Sequence, residues 1–364
     1  MIQLTLVAGA RPNFMKIAPI VHAIQAKQQA GFHISFRLIH TGQHYDKKMS
    51  GDFFEQLNIP EPHANLGGGG GTQAEQTAAI MVAFEKELIA HRPDLVIVVG
   101  DVTSTLSCSI AAKKLVIDVA HVEGGIRSGD LSMPEEINRM VTDSITDHFF
   151  TTSEIANNNL RRLGFDDSSI HFVGNTMIDT LIANMPRFKK PDGELFDQLA
   201  AGKYFVMTMH RPANVDQEEK LKHMIDAILD GTGDLPIVFP VHPRTAKNLE
   251  QLGISSPRLH MTEPLSYLEF NYLVKNAKGV ITDSGGITEE ASVMNIPCIT
   301  LRDNTERAET VELGTNELVG TNPANLAPYL KKLMAGEWKS YQGIPLWDGK
   351  TSERIVSKII DLYS

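Results

Sequence analysis

Short runs of apolar residues alternate along the chain with longer stretches in which apolar residues recur at helical spacing. The run Asp94–Val99, DLVIVV, is almost continuously apolar, which is typical of a strand buried on both faces of its sheet. Residues 13–29 instead carry apolar side chains three and four positions apart, which indicates a helix with one buried face. Strands are predicted at 2–8, 32–40, 94–99, 116–121, 148–152, 170–173, 204–209, 236–241, 279–282 and 296–301, and helices at 13–29, 73–91, 103–115, 134–145 and 351–363. This alternation predicts parallel sheets covered by helices on both faces.

A polar stretch at 187–202 interrupts the alternation, which restarts at Tyr204. We therefore predict a linker there and two α/β domains, residues 1–186 and residues 203–350. A chain of 364 residues has the length of two domains of ordinary size. The last segment, 351–364, has a helical pattern and is expected to pack back on the first domain.

Composition and charge exclude several classes of function. Asp and Glu outnumber Lys and Arg by 44 to 34, and the resulting net charge of −10 is unlike that of a nucleic-acid-binding protein. No apolar run approaches the ~20 residues of a membrane helix, and the N-terminal pattern is that of a strand and not of a signal peptide. We therefore expect a cytoplasmic protein with no membrane partner. Cys108 and Cys298 lie among apolar or small residues and are expected to be buried thiols, with no metal site.

Charged residues follow the predicted strands of the first domain. A glycine turn after the first strand leads into a helix that carries Arg11 and Lys16, and such a helix start favours an anion. Asp101 and Glu123 each follow a buried strand, and Glu135 lies in the first turn of the next helix. Asp101 could simply cap a helix and Glu135 could simply complement a helix dipole. Because all three carboxylates fall at one edge of one sheet, however, they are candidates for proton transfer.

Donor groups and positive charges follow the strands of the second domain. One strand ends in His210-Arg211 and another in His242-Pro243-Arg244. The clearest pattern is DSGGITEE at 283–290, in which Ser284, Gly285 and Gly286 open a helix and can present N–H and O–H donors to a diphosphate. Glu290 could then accept hydrogen bonds from the vicinal hydroxyls of a ribose. The glycine run 67–71 is interpreted first as a mobile loop and second as a ligand contact.

Taken together, these motifs resemble the non-hydrolysing UDP-N-acetylglucosamine 2-epimerases. The motifs are GARPNFMK, GD before a helix, HVEGGIRSGD with PEEINR, VGNTMID, DSGGITEE and RDNTER, in the order of the family from Gly9 to about Gly320. The resemblance implies two Rossmann-like domains facing across a cleft, the glycosyltransferase-B architecture, in a homodimer. It also implies reversible conversion of UDP-N-acetylglucosamine to UDP-N-acetylmannosamine without a metal or nicotinamide cofactor, by elimination of UDP to 2-acetamidoglucal and re-addition. This activity would serve polysaccharide biosynthesis.

The resemblance assigns roles to individual residues. The candidate catalytic residues are Asp101, Glu123, Glu135 and His210. The candidate substrate-binding residues are Arg11, Lys16, Arg139, Phe270 against the uracil, Ser284, Gly285, Gly286, Glu290 and Arg307. Some members of the family bind a second UDP-N-acetylglucosamine as an activator, and the candidates for such a site are Gln43, His44, Arg211 and His242.

The chain also departs from the pattern of the family. Ala10 and Asn13 stand where Thr and Glu are common, Pro212 and Ala213 stand where Arg and Glu are common, and Leu265 replaces a Gln near the uracil site. These departures keep other substrates open, such as UDP-2,3-diacetamido-glucuronic acid. A hydrolysing epimerase is disfavoured by the N-terminal motif, and a glycosyltransferase of the same fold by the three carboxylates. A nucleotide-sugar sensor without catalytic activity is disfavoured for the same reason.

Overall fold

The computed structural model describes residues 1–43, 54–215, 218–241, 246, 249 and 252–364. These residues form two α/β units, of which the first contains Met1–Ile182 and Pro345–Ser364 and the second contains Ala183–Ile344. The candidate residues His44 and His242 lie outside the described residues. In the described part of the chain, no helix has the length and apolar character needed to cross a membrane.

The first unit contains a seven-stranded parallel sheet. Its strands are β1 (Ile2–Ala8), β2 (Ile34–His40), β3 (Ala64–Asn65), β4 (Leu95–Val99), β5 (Asp118–Val122), β6 (His148–Thr151) and β7 (Ile170–Phe172). They lie in the order β3-β2-β1-β4-β5-β6-β7. β1 is central, since Leu4 pairs with Phe36 of β2 on one side and with Leu95 of β4 on the other. The order is that of a Rossmann sheet, extended by β7.

The described residues of the first unit form six helices and a C-terminal helix, and those that begin after Thr72 and Ser153 have a side-chain cap. They are α1 (Arg11–Gln29), α2 (Gln73–Ala90), α3 (Thr103–Lys114), α4 (Pro134–Ser144), α5 (Glu154–Arg162) and α6 (Thr176–Asn184), with the C-terminal α14 (Thr351–Tyr363). The hydroxyl of Thr72 accepts a hydrogen bond from the backbone N–H of Glu75, whose side chain in turn accepts from the N–H of Thr72, which is a capping box. Helix α1 packs against the C-terminal helix α14.

Asp179 holds the C-terminal helix to the first unit. Its buried carboxylate accepts hydrogen bonds from the backbone N–H groups of Thr351 and Ser352 at 3.1 and 2.7 Å. Asp179 is the last residue of the VGNTMID motif, so the structure gives this part of the motif a capping role. The indole N–H of Trp347 also donates to the carbonyl of Thr152 at 3.0 Å.

The second unit contains a six-stranded parallel sheet with the same topology. Its strands are β8 (Phe205–Thr208), β9 (Ile237–Pro240), β10 (Leu259–Thr262), β11 (Gly279–Thr282), β12 (Cys298–Thr300) and β13 (Asn316–Leu318), in the order β10-β9-β8-β11-β12-β13. The helices are α7 (Glu194–Gln198), α8 (Pro212–Val215), α9 (Glu218–Gly231), α10 (Tyr267–Asn276), α11 (Gly285–Val293), α12 (Ala308–Glu312) and α13 (Leu326–Ala335). In both sheets the strand order reverses between two neighbouring strands, β1 and β4 in the first and β8 and β11 in the second. Ligands of open α/β sheets bind at such a point.

Three details differ from the sequence-based expectation. The segment 187–202, predicted as a linker, belongs to the second unit, where it carries α7 and buries Phe196 in the core. The strand predicted to start at Val116 starts at Asp118, because Val116 is exposed and has a left-handed φ of 56°. The short strands β3, β10 and β13 were not predicted, since none of them has a long apolar run.

Candidate functional site

The turn after β1 is built around Asn13 and a closely packed glycine. The side-chain oxygen of Asn13 accepts hydrogen bonds from the N–H groups of Gly9 and Ala10 at 3.1 and 3.0 Å, and its amide donates to the carbonyl of Val99 at 3.2 Å. A Cβ atom on Gly9 would lie 1.9 Å from the hydroxyl oxygen of Ser104, so only glycine fits there. Asn13, one of the departures from the family pattern, therefore joins the turns that follow β1 and β4.

Glu123 and Lys16 form a buried ion pair. Nζ of Lys16 lies 2.8 Å from Oε2 of Glu123, and the two side chains are 11% and 2% exposed. Glu123 follows β5 directly and has a left-handed φ of 73°. A non-glycine residue pays a free-energy cost in this conformation, and such residues cluster at functional sites. Because the lysine satisfies the carboxylate charge, Glu123 can remain an anion although it is buried.

Asp101 follows β4 and pairs with Arg139 of α4. The guanidinium of Arg139 donates to the carboxylate of Asp101 and, at 2.7 Å, to that of Glu136. The side-chain amide of Asn138 donates to the backbone carbonyl of Asp101 at 2.8 Å. The carboxylate of Asp101 is 31% exposed, whereas the Arg139 side chain is 3% exposed. Helix α4 therefore holds both the backbone and the side chain of Asp101.

The turns that carry Asp101 and Glu123 are neighbours. A Cβ atom on Gly100 would lie 3.0 Å from Nζ of Lys16, the same atom that pairs with Glu123. Gly100 has a φ of 67°, which favours glycine, and its N–H donates to the carbonyl of Val122 at 3.0 Å. Lys16 therefore lies between the two turns, and the structure brings these three candidate residues together.

Glu135 is half-buried in the first turn of α4, one helical turn before Arg139. Its neighbour Glu136 is buried instead and accepts hydrogen bonds from the N–H groups of Ser128 and Gly129 at 3.0 Å each. Burial opposes ionisation of Glu136, but these bonds and Arg139 outweigh burial and lower its pKa. Of the two glutamates, Glu136 therefore supports the loop and Arg139, while Glu135 remains accessible. Arg11 is exposed in the first turn of α1.

His210 in the second unit is oriented by Asp283. Nδ1 of His210 lies 2.7 Å from Oδ1 of Asp283, and the histidine side chain is 62% exposed while the carboxylate is fully buried. Asp283 also accepts hydrogen bonds from the N–H groups of His210 and Arg211 and from the amide of Asn214. Burial opposes ionisation of Asp283, but these bonds outweigh it and lower its pKa to about 2. An anionic partner at Nδ1 fixes the imidazole so that Nε2 points away from the carboxylate.

The helix α11 presents free N–H groups just after β11. Ser284 occupies the N-cap position, and its side chain makes no capping hydrogen bond to the helix. A Cβ atom on Gly285 would lie 2.7 Å from Oε1 of Glu306, whereas a Cβ atom on Gly286 would meet no atom within 4 Å. The space beside Gly286 is therefore open to a ligand, and the helix dipole favours an anion at this position.

Glu290 lies farther along α11 and is buried against Tyr267. The hydroxyl of Tyr267 donates to Oε1 of Glu290 at 2.6 Å. Burial raises the pKa of Glu290 to about 7, although the hydrogen bond from Tyr267 acts in the opposite direction. A carboxyl with this pKa changes its charge near neutral pH.

The other substrate-binding candidates of the second unit occupy different environments. Phe270 is half-buried on α10 and packs against the core of the unit. Arg307 is buried and forms an ion pair with Glu289, with Nε 2.8 Å from Oε1. Leu265 also packs against the core as a partly buried side chain. Arg307 therefore has a carboxylate partner within the unit, which the sequence did not indicate.

Of the candidates for an activator site, Gln43 and Arg211 lie among the described residues. Oε1 of Gln43 accepts hydrogen bonds from the N–H and the hydroxyl of Ser104 at 3.2 and 2.8 Å, and Nε of Arg211 donates to the carbonyl of Asp283 at 3.0 Å. The glycine run lies beside Gln43, around an open cavity of about 660 Å³. A Cβ atom on Gly69 would lie 2.4 Å from the carbonyl oxygen of Gly42, so close packing requires a glycine there.

Several residues of the site were not singled out from the sequence. These are Asp283, Tyr267, Asn138 and Glu136. For Asp283 a signal existed, because it ends a buried strand directly before the glycine pair, as Asp101 ends another. Both cysteines are free and buried. Among the described residues, no group of three or more His, Cys, Asp or Glu side chains could hold a metal ion.

Two Rossmann-like sheets, each with charged groups and a glycine turn at the point where the strand order reverses, are typical of nucleotide-sugar enzymes of the glycosyltransferase-B class. The sequence matches the family UDP-N-acetylglucosamine 2-epimerase over residues 25–360. The chain belongs to this family. The expected family and the expected pair of parallel α/β sheets are thereby confirmed.

Individual relatives agree with this assignment. The chain is 42% identical to the UDP-N-acetylglucosamine 2-epimerase of Methanocaldococcus jannaschii over 97% of this chain and 98% of the relative. The crystal structure of the M. jannaschii enzyme in complex with UDP-GlcNAc and UDP matches it with a TM-score of 0.87, at 42% identity over 100% of both chains. The chain is also 38% identical to the UDP-2,3-diacetamido-2,3-dideoxy-D-glucuronate 2-epimerase of Pseudomonas aeruginosa, over 86% of this chain and 87% of the relative.

Proposed function

We propose that the protein interconverts UDP-N-acetylglucosamine and UDP-N-acetylmannosamine by inverting C2 of the sugar. The observation that carries this proposal is the paired arrangement at the end of the first sheet, where Glu123 lies against Lys16 and Asp101 against Arg139. Each carboxylate pairs with a cationic side chain, and the two residues lie on neighbouring turns. The family membership of the chain supports the same reaction.

The proposed reaction is an elimination followed by an addition. A carboxylate takes the proton from C2, the bond between C1 and the phosphate oxygen breaks, and UDP leaves with the electron pair. The product is 2-acetamidoglucal, in which C1 and C2 are joined by a double bond. UDP then adds back at C1 while C2 receives a proton on the opposite face. The sequence of steps is balanced without any oxidant, metal or nicotinamide.

Asp101, Glu123 and Glu135 are the proposed groups for proton transfer. Glu123 is buried beside Lys16, and its carboxylate is proposed to accept a proton when the substrate excludes water. Asp101 and Glu135 are more accessible than Glu123. Asp101 forms an ion pair with Arg139, and Glu135 lies one helical turn before Arg139 in α4. Positioned acid–base groups contribute about 10²- to 10⁴-fold each.

The second unit is proposed to hold the UDP moiety. The N–H groups of Gly285 and Gly286 at the start of α11 would bind the diphosphate, and Glu290 would accept hydrogen bonds from the ribose hydroxyls. His210, fixed by Asp283, would donate from Nε2 to the departing phosphate when protonated. Electrostatic stabilisation of this kind acts on the charge that develops as UDP leaves. Phe270 is proposed to contact the uracil.

Arg11 and Arg307 are proposed to contribute positive charge to substrate binding. Arg11 is exposed at the start of α1, where the helix dipole already favours an anion. Arg307 would contribute while it is held by Glu289. Its buried partner fixes the guanidinium, which reduces the entropy lost when a ligand binds.

A second candidate substrate is a UDP-sugar that carries acetamido groups at C2 and C3 and a carboxylate at C6. The relative from P. aeruginosa that acts on such a sugar supports this candidate. The relatives named above are all epimerases and offer no support for a glycosyltransferase.

One experiment separates these possibilities. Each UDP-sugar is incubated with the pure protein in deuterated water, and the sugar is followed by proton NMR. Deuterium at C2 of both epimers of UDP-N-acetylglucosamine is expected. Exchange only in the diacetamido sugar would replace the first substrate by the second. Release of free N-acetylmannosamine and UDP would indicate hydrolysis, and absence of exchange in both sugars would refute the proposal.

Matched variants test the proposed residues in the same assay. Glu123→Gln keeps the shape of the side chain but cannot take up the C2 proton, so turnover is expected to fall by at least about 10²-fold. UDP binding, measured by calorimetry, is expected to stay within about threefold, since UDP is assigned to the second unit. Glu87→Gln is the control, because Glu87 forms a partly buried ion pair with Arg37 in the same unit. Normal epimerisation by the Glu123 variant would exclude this residue as an essential base.

We further propose that the enzyme acts in the cytoplasm as a homodimer in polysaccharide biosynthesis, as the family resemblance implies. Sedimentation equilibrium across a range of concentrations tests the dimer, and a monomer under assay conditions would refute it. Gln43 and Arg211 remain candidates for an activator site. If the site exists, added UDP-N-acetylglucosamine should accelerate the initial conversion of UDP-N-acetylmannosamine; unchanged rates would exclude it.

A further inference from the structure

His121 is a fully buried histidine near the end of β5, two residues before Glu123. Its Nδ1 atom lies 2.6 Å from Oδ1 of Asp143 on α4, and its Nε2 atom lies 2.7 Å from the carbonyl oxygen of Gly100. A neutral imidazole has one donor and one acceptor nitrogen. A carbonyl oxygen can only accept, so Nε2 must carry a proton.

The protonation state of Nδ1 of His121 follows from the surroundings of Asp143. The other carboxylate oxygen, Oδ2, lies 2.6 Å from the guanidinium of Arg127 and accepts the N–H of Gly125 at 3.0 Å. Both of these partners are donors, and the fixed positive charge of Arg127 favours the ionised form of the Asp143 carboxylate. Asp143 is therefore an anion that can only accept, and Nδ1 must carry a proton as well.

These contacts link the two turns that carry the proposed catalytic carboxylates. His121 holds the carbonyl of Gly100, the residue directly before Asp101. Through Asp143 it is joined to Gly125 and Arg127, in the loop directly after Glu123. Gly100 and Glu123 both have a left-handed backbone, and the buried His121–Asp143 pair holds residues of both turns by hydrogen bonds.

We propose that His121 is an imidazolium with a proton on both ring nitrogens, and that the His121–Asp143 ion pair is a positioning device that sets the turns of Asp101 and Glu123 for proton transfer. The pair does not touch the reacting atoms. Its effect on turnover rests on the proposed roles of these two carboxylates, whereas the charge of His121 does not depend on the reaction.

The charge of His121 is measured on the wild-type protein labelled with ¹⁵N at its histidine rings. Proton–nitrogen correlation spectra between pH 6.5 and 9 are expected to show one ring with both nitrogens protonated throughout. This signal is assigned to His121 by its loss in His121→Gln. A neutral tautomer for His121 anywhere in this range would overturn the proposal, whatever the variants do in an activity assay.

The positioning role is tested with Asp143→Asn, which keeps the size of the side chain but removes its charge. We expect kcat to fall by about 10- to 10²-fold, because small displacements of catalytic groups have effects of this size. KM and UDP affinity are expected to stay within about threefold, because the UDP site is assigned elsewhere.

Asp147→Asn is the matched control. Asp147 accepts the N–H of Val119 at the opposite end of β5 and pairs with Lys113 at 2.7 Å. The Asp147→Asn variant is expected to have a lower melting temperature but an unchanged kcat. An unchanged kcat in folded Asp143→Asn would overturn the positioning role. Full activity in both Asp101→Asn and Glu123→Gln would instead show that the roles of the carboxylates, and not the charge of His121, had been assigned wrongly.

Discussion

The two glycines at the start of α11 provide a sharp test of the proposed diphosphate site. A Cβ atom on Gly286 would meet no protein atom within 4 Å, and its φ is not in the left-handed region. Alanine therefore fits the folded protein at this position. Because alanine loses less backbone entropy than glycine, Gly286→Ala is expected to stabilise the helix by about 0.5–1 kcal/mol. For a unit of this size the melting temperature should rise by about 1–4 °C.

Ligand binding should respond in the opposite direction. The methyl group would occupy the open space that we assign to the diphosphate, and it would lengthen or remove a hydrogen bond between a backbone N–H and a charged phosphate oxygen. Hydrogen bonds to charged groups contribute about 1.5–3 kcal/mol. The dissociation constant of UDP is therefore expected to rise at least about tenfold. Isothermal titration calorimetry with UDP and thermal denaturation with and without UDP measure the two effects on the same sample.

Gly285→Ala is the contrasting variant. Its Cβ atom would lie 2.7 Å from Oε1 of Glu306, which forms a buried ion pair with Arg302. This variant is expected to lose UDP binding and thermal stability together, whereas Gly286→Ala should lose binding alone. Wild-type UDP affinity in Gly286→Ala would show that the diphosphate does not approach this helix end, and the reasoning would fail.

Three further outcomes are expected. UDP affinity should rise as the pH increases through about 7, because Glu290 must be ionised to accept hydrogen bonds from the ribose hydroxyls. Tyr267→Phe should move the midpoint of this rise up by about one pH unit, since a hydrogen bond to the carboxylate is lost. A UDP affinity that does not change with pH in calorimetric titrations would contradict this prediction. Burial lowers the pKa of half-buried His171 from 6.5 to about 4, so the unfolded state takes up a proton before the folded state does as the pH falls. The free energy of unfolding should therefore decrease between about pH 6.5 and pH 4, by ~1 kcal/mol after solvent screening. In urea unfolding, His171→Gln should show a smaller decrease over the same pH range. Asn13→Ala removes hydrogen bonds to Gly9, Ala10 and Val99 and should lower the free energy of unfolding by about 2–4 kcal/mol, and an unchanged urea midpoint would show that these bonds contribute nothing.

The departures from the family pattern acquire a physical meaning only in the structure. Asn13 donates to the carbonyl of Val99, which a glutamate at this position could not do, since a carboxylate has no donor. Leu265 packs against the core of the second unit. A sequence shows that such residues differ, but the chemistry of the difference depends on partners that lie far away in the chain.

The sequence by itself determined the alternation of strands and helices and the position of the charged residues at the strand ends. The run that forms β4 and the helical spacing in α1 are local patterns, and hydrophobic burial acts on them wherever the sheet forms. For the same reason the motif that opens α11 could be recognised, since the N-cap serine and the two glycines are adjacent in the chain.

Only the tertiary structure decided which charges meet. Lys16 and Glu123 are 107 residues apart, and His210 and Asp283 are 73 apart, so no local pattern connects them. Likewise, the sequence could not tell that Glu136 turns inward while its neighbour Glu135 stays accessible. Ion pairs and hydrogen bonds depend on distances of a few tenths of an ångström, and these distances are set when the sheets assemble and the helices pack on them.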